Sequence, residues 1–368
     1  MTVLGTPASV TENVTENVTE DVLGPVSTTP TGPYSGAVPV TSSPAWYDDL
    51  CSCLQVDLVH VLRLGGWDPL QALGSGWRLR AVPEDCEPVE FFHPAGEDLA
   101  SSFGIYHPLS LRWHRPGDDA EAHEQVVAAL ADGIVPVVAV DNYHLPFRPA
   151  YHDVHAGHLL MVTGYDPGSR AYRILDPMPP AYRGPLPREV LERSRSSANP
   201  DDGSDPFFAG SGPARRWLEV RREGPQPELT WSWLRTALET NVRSLRGEEG
   251  DGLPALAAYF DSLPAAVAAE GAAPLLRTYR IGWPAQAEAG LHARFLAEAA
   301  RRLGRFRLAE AGRAVELVSH SWTGVRISAA HGEENPGEAA RQVVEHGRTL
   351  LRGYEAALHA VESALDRP

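Results

Sequence analysis

The feature that most limits how this chain can fold is a change of period along it. Between residues 77 and 176 the apolar residues come in short runs: "GWRLRAV", "FGIYHPLSLRW", "GIVPVVAV", "HLLMVTGY" and "AYRIL". Each is bounded by Gly, Pro or Asp, which reads as strands separated by turns. From about residue 228 the chain becomes rich in Ala, Leu, Glu and Arg. The stretches 228–246, 253–269, 284–303 and 337–365 repeat their apolar residues at helical spacing. A chain of 368 residues has room for both patterns as separate bodies.

Two further helices belong to the first pattern. In "WYDDLCSCLQVDLVHVLRLGG" (46–66), Leu54, Leu58, Val61 and Leu62 fall on one helical face, and Gly65-Gly66 stop the run. The helix is expected from Cys53 to Leu64, with Asp48 and Asp49 upstream where the helix dipole favours acids. "AEAHEQVVAALADG" (120–133) is amphipathic and lies between two strands. The expected fold is α+β over residues 43–200, an N-terminal helix plus a mostly antiparallel sheet. A linker over 201–226 and an all-helical domain over 227–368 follow. Residues 1–42, with the repeat "TENVTENVTEDV", carry four acids, no base and little to build a core from; they are expected to be a disordered tail.

Composition removes several function classes. The formal charge is −16, the wrong sign for general affinity to nucleic acid. The 32 basic side chains are all arginine. Without lysine there is no Schiff-base chemistry, and neither a P-loop nor a kinase lysine. No apolar run approaches the about 18–20 residues of a membrane helix, and the N-terminus lacks a secretory pattern. Cys51, Cys53 and Cys86 are too few and too unevenly spaced for a disulfide framework, which favours a reduced, cytoplasmic setting.

Chemistry concentrates in two places. Cys53 falls at the start of the first helix, where free N–H groups and the dipole favour a thiolate and its own N–H is available to an oxyanion. Against that stands the tendency of free cysteine simply to be buried. The C-x-C pair of Cys51 and Cys53 lacks the second pair a structural zinc would need. The other place is "HAGHLLMVTGYDPGSRAYRILDP" (155–177). If its two apolar runs form a hairpin turning at Asp166–Arg170, its outer ends meet and His158 comes beside Asp176. A carboxylate there would fix the imidazole's tautomer and support its protonated form. An ordinary hairpin with polar ends fits the same spacing. His144, His152, His155 and His158, with Asp153, also raise a metal site, but their spacing suits neither a helix nor an alternating strand, so no metal is expected. "DNYHLPFRPAYH" (141–152) is a candidate wall for a substrate, contributing Tyr143, His144 and Arg148, with His155 lining the approach.

Several of these stretches resemble a known family. "CLQVDLVHVLRLGGWDPLQALGSGW" (53–77), "GHLLMVTGYD" (157–166) and "YRILDPMPP" (172–180) resemble the butirosin-biosynthesis acyltransferase family, with its papain-like N-terminal domain. More distantly, the His and Asp segments are similar to those of bacteriocin-processing cysteine peptidases. The resemblance covers about 45–200, and the helical remainder resembles the C-terminal domain of unknown function that often follows. It implies Cys53 as nucleophile, His158 as general base and Asp176 as the orienting acid. It implies an acyl or aminoacyl group passing from the phosphopantetheine arm of an acyl carrier protein to a small-molecule amine or hydroxyl, with no bound cofactor, nucleic acid or membrane partner. Papain-like peptidases carry a glutamine about six residues before the cysteine; here that position is Tyr47. Gln55 lies on the other side, either at the substrate or on the helix surface. This departure favours a thioester donor over a peptide, while a cysteine peptidase or amidohydrolase, or a degenerate binding scaffold, remain the alternatives. "RRLGRFR" (301–307) and "PARRW" (213–217) are the arginine runs that could receive an acidic carrier.

Overall fold

The computed structural model describes residues 49, 51–79, 106–203, 208–210, 212–248 and 252–366. The expectations for the tail, Tyr47, Cys86 and the strand beyond residue 79 lie outside them. The first helix is α1 (Cys53–Leu64), bounded as its sequence indicates. Its start is fixed by a capping box: Ser52 Oγ accepts from the Gln55 N–H, and Gln55 Oε1 accepts from the Ser52 N–H at 2.9 Å. A short α2 (Pro69–Gly74) follows, capped by Asp68 with proline in its first turn.

The sheet is α+β in its setting and wholly antiparallel in its pairing. Its strands are β1 (Leu109–His114), β2 (Val137–Asp141), β3 (Gly157–Asp166), β4 (Ala171–Asp176), β5 (Tyr182–Pro187) and β6 (Trp217–Arg222), in the order β1-β6-β2-β3-β4-β5. Helix α3 (Asp119–Ala131) and helix α4 (Arg188–Arg195) accompany it. Alternation along β2 and β3 splits the core in two. Val137, Ala139, Leu159 and Met161 pack with α1, while Val138, Val140, Leu160 and Val162 pack with α3 and α4.

Strand β6 lies inside the sheet, between β1 and β2, so the expected linker 201–226 carries a central strand. Its alternation is hidden in "RRWLEVRR" by flanking arginines. Glu219 explains why that charge is tolerated: burial alone would raise its carboxyl, but hydrogen bonds from Arg112, His114 and Arg221 bring it down to about 2.

The helical region holds α5 (Trp231–Arg246), α6 (Gly252–Glu270), α7 (Ala273–Leu303), α8 (Phe306–Ala330) and α9 (Pro336–Asp366). Helix α7 starts eleven residues before the expected 284, running through Gly282 and Pro284. Both read as breakers in sequence, but a Cβ on Gly282 would meet Arg326 Cγ at 2.8 Å, so α8 crosses there at close range. That packing outweighs propensity. Helix α6 is apolar and long enough to cross a membrane by length and composition. Here its Leu253, Leu256, Phe260, Leu263 and Val267 are buried in the helical core.

Sheet and helices lie within one unit, Tyr34–Pro368. Trp77 and Leu79 join the helical core, and Leu291 of α7 joins the core around α1. Gly74 sets how closely α2 meets α7, since a Cβ there would lie 2.7 Å from both Leu291 O and Phe295 Cβ. Gly74→Val is expected to cost roughly 2–3 kcal/mol by forcing these elements apart. A loss of urea stability below about 0.5 kcal/mol would show that the contact yields freely.

Candidate active site

Three elements bring the sequence candidates into one region. Helix α1 presents Cys53 at its first position, β3 presents His158 near its start, and β4 ends on Asp176. The β3–β4 hairpin forms as its sequence indicates, with Met161 opposite Leu175 and Asp166 opposite Ala171. His158 Nε2 lies 2.9 Å from Asp176 Oδ2, and both side chains are buried. With Nε2 donating to that carboxylate, Nδ1 is the nitrogen left to act as a base.

Asp176 is fully enclosed, and both of its oxygens accept hydrogen bonds. Oδ2 also receives Arg148 Nη1 at 3.4 Å, and Oδ1 receives the Met178 N–H at 3.1 Å. Arg148 is committed further to Met178 O. Within the chain Arg148 braces the acid that holds His158.

Cys53 is buried, and the backbone of Leu159 and Leu54 favours its thiolate only in part. Burial pushes its thiol pKa up strongly, and Asp57 and then Asp176, where ionised, push it the same way. Burial therefore favours the neutral thiol over the thiolate at Cys53. Among the described residues no hydrogen bond joins Cys53 to His158. Cys51 is also buried and is not disulfide-bonded.

Gln55 lies on the inner side of α1, not on the helix exterior. It is buried, and its side-chain oxygen serves Ser52 in the cap. The loop after β2, the candidate wall, is organised around Asp141. Asp141, at the end of β2, accepts from the Tyr143 and Ala156 N–H groups through Oδ1 and from His155 Nδ1 (2.7 Å) and Ser197 Oγ (2.6 Å) through Oδ2. Tyr143 stacks on His155 with ring centres 4.1 Å apart, and His144 meets His155 edge-on. Burial lowers the His144 pKa, and His155, Arg193 and His152 add to it against the pull of Asp141. Sequence reasoning missed Asp141, although an acid closing an apolar strand just before "NYH" was the available signal. Asp141→Ala is expected to cost about 3 kcal/mol, because it strands four donors, whereas His155→Ala should cost about 1 kcal/mol. Equal losses in chemical denaturation would contradict that ordering.

The two arginine runs are largely engaged within the chain. Arg301 pairs with Glu298, Arg302 with Asp68, and Arg305 lies over the Trp231 ring at 3.8 Å. Arg215 pairs with Asp119, and Arg216 is buried against backbone carbonyls. Among the described residues, no group of three or more His, Cys, Asp and Glu side chains is arranged to hold a metal ion.

A thiol heading a helix, close to a carboxylate-paired imidazole, is the set of groups that acyl transfer through a thioester requires. Residues 54–177 match the family model described as Butirosin biosynthesis protein H, N-terminal. The match spans about a third of the chain, begins one residue after Cys53, and contains His158 and Asp176. No curated protein matches the chain.

Proposed function

We propose that the protein is a cysteine-dependent acyltransferase of specialised-metabolite biosynthesis, built on a papain-like domain. It takes an acyl or aminoacyl group from the phosphopantetheine thioester of an acyl carrier protein. The observation that carries this reading is the buried His158–Asp176 hydrogen bond beside the N-terminus of the Cys53 helix. The family match supports it independently.

In the first half-reaction the Cys53 proton passes to His158 Nδ1 as the sulfur attacks the thioester carbonyl. The carrier's thiolate leaves and takes that proton back, so Cys53 is acylated and the site returns to its starting charge. In the second half an amine or hydroxyl of the acceptor attacks the acyl carbon, gives its proton to His158, and the Cys53 sulfur leaves and is reprotonated. Asp176 holds Nε2 throughout and stabilises the imidazolium. The free N–H groups at the start of α1 suit a developing oxyanion.

The test is intact-mass analysis after incubation with an acyl carrier protein bearing an aminoacyl thioester, followed by peptide mapping. An adduct on Cys53 that an added amine discharges as an amide supports the reading. An adduct on Cys51, or none, overturns it. Release of the free acid alone, whatever acceptor is added, makes the protein a hydrolase.

A further inference from the structure

Asp57 lies one helical turn beyond Cys53 on α1, so the two side chains share a face with Cβ atoms about 6 Å apart. It is 0% exposed, and among the described residues neither carboxyl oxygen has a hydrogen-bond partner. A carboxylate stripped of water and given no donor is strongly disfavoured, and a buried acid in that position keeps its proton instead. Asp176 faces it from β4 and adds a like charge, although Asp176 is itself tied to His158 on β3 and to Arg148 on the loop. On its own helix the neighbours that can titrate are Cys53 and the buried His60. Burial, and then Asp176, hold the Asp57 carboxyl well above the usual range.

We propose that Asp57 is a positioning residue for the nucleophile: it keeps a proton while Cys53 reacts, and it silences the thiol when it ionises. The proposal rests on the reading of Cys53 as the nucleophile. Once the Cys53 proton has passed to His158, the site holds a thiolate and an imidazolium beside the ion pair of Asp176 with Arg148, and its charges balance. A neutral Asp57 leaves that balance alone. An ionised Asp57 would bring an uncompensated negative charge beside the sulfur, in surroundings that screen it poorly. The position of the acid on the nucleophile's own helix ties its protonation to thiol reactivity, not to stability alone.

The experiment is alkylation of Cys53 in the full chain by iodoacetamide across roughly pH 6 to 10, read by peptide mass so that Cys51 and Cys86 are counted apart. Asp57→Asn keeps the shape and removes the charge; Asp57→Ser is the second neutral variant should the amide impair folding. Parent and variant rates are expected to coincide at the acidic end and to separate as pH rises. The neutral variants should become about tenfold faster or more, the effect of one like charge at close range. A constant ratio at every pH would mean that the substitution merely opened access, and would overturn the proposal. Superimposed profiles would overturn it too, including no labelling in any of the proteins. No acyl donor is involved, so failure of carrier loading with diverging profiles would fault the proposed reaction and leave the role of Asp57 standing.

Discussion

Replacing Cys53 by alanine is expected to abolish acyl loading from a charged carrier protein, a loss of roughly 10,000-fold or more in the single-turnover rate. The sulfur is the atom that forms the covalent bond, and among the described residues the other cysteine, Cys51, is not presented at the helix start. The structural cost should be small, about 1 kcal/mol, because alanine is a good helix former and the Ser52–Gln55 cap does not involve the sulfur. The variant should therefore fold, bind carrier and fail in chemistry alone. Loading of the alanine variant at the parent's rate would remove Cys53 from the mechanism. A serine variant adds a sharper comparison: its hydroxyl keeps the shape but lacks the thiol's acidity and softness, so it should load far more slowly than the parent.

The local pieces of this site were legible in sequence because each has a local cause. The start of α1 is written in Ser52 and Gln55, and its end in Gly65-Gly66. The hairpin that joins His158 to Asp176 follows from two apolar runs and a turn of fixed length. What could not be read depended on contacts distant in sequence. Arg148 looked like a substrate contact because nothing nearby shows that it reaches Asp176. Strand β6 looked like linker because its neighbours in the sheet are β1 and β2. Helix α8 is a different case. Leu308, Ala311, Val315, Val318, Trp322 and Val325 alternate spacings of three and four and are all buried, but exposed Phe306, Leu317 and Ile327 blur the stripe. Asp57 sat in plain view as an acid among the apolar residues of α1. Its missing partners are visible only once the helix is packed.

The second large effect is expected at Asp176, and its two substitutions should fail in different ways. In Asp176→Asn the amide has one acceptor where the carboxylate had two, and the donors around it leave no comfortable orientation. With its oxygen toward His158 and Arg148, the NH₂ faces the Met178 N–H; turned over, the NH₂ faces both side chains. His158 can relieve the second arrangement by accepting at Nε2, which moves its proton to Nδ1 and blocks the nitrogen that must take the Cys53 proton. Acyl loading should then fall by roughly 1,000- to 10,000-fold, the size of effect that a wrong tautomer produces in a comparable triad. Asp176→Ala instead leaves the nearly buried Arg148 and His158 without their common acceptor, and should cost about 3 kcal/mol of stability as well as activity. Denaturant unfolding paired with single-turnover loading separates the two. If Asp176→Asn kept loading within about tenfold of the parent, the carboxylate would be a structural anchor for Arg148 and Met178, and His158 would have to find its orientation elsewhere.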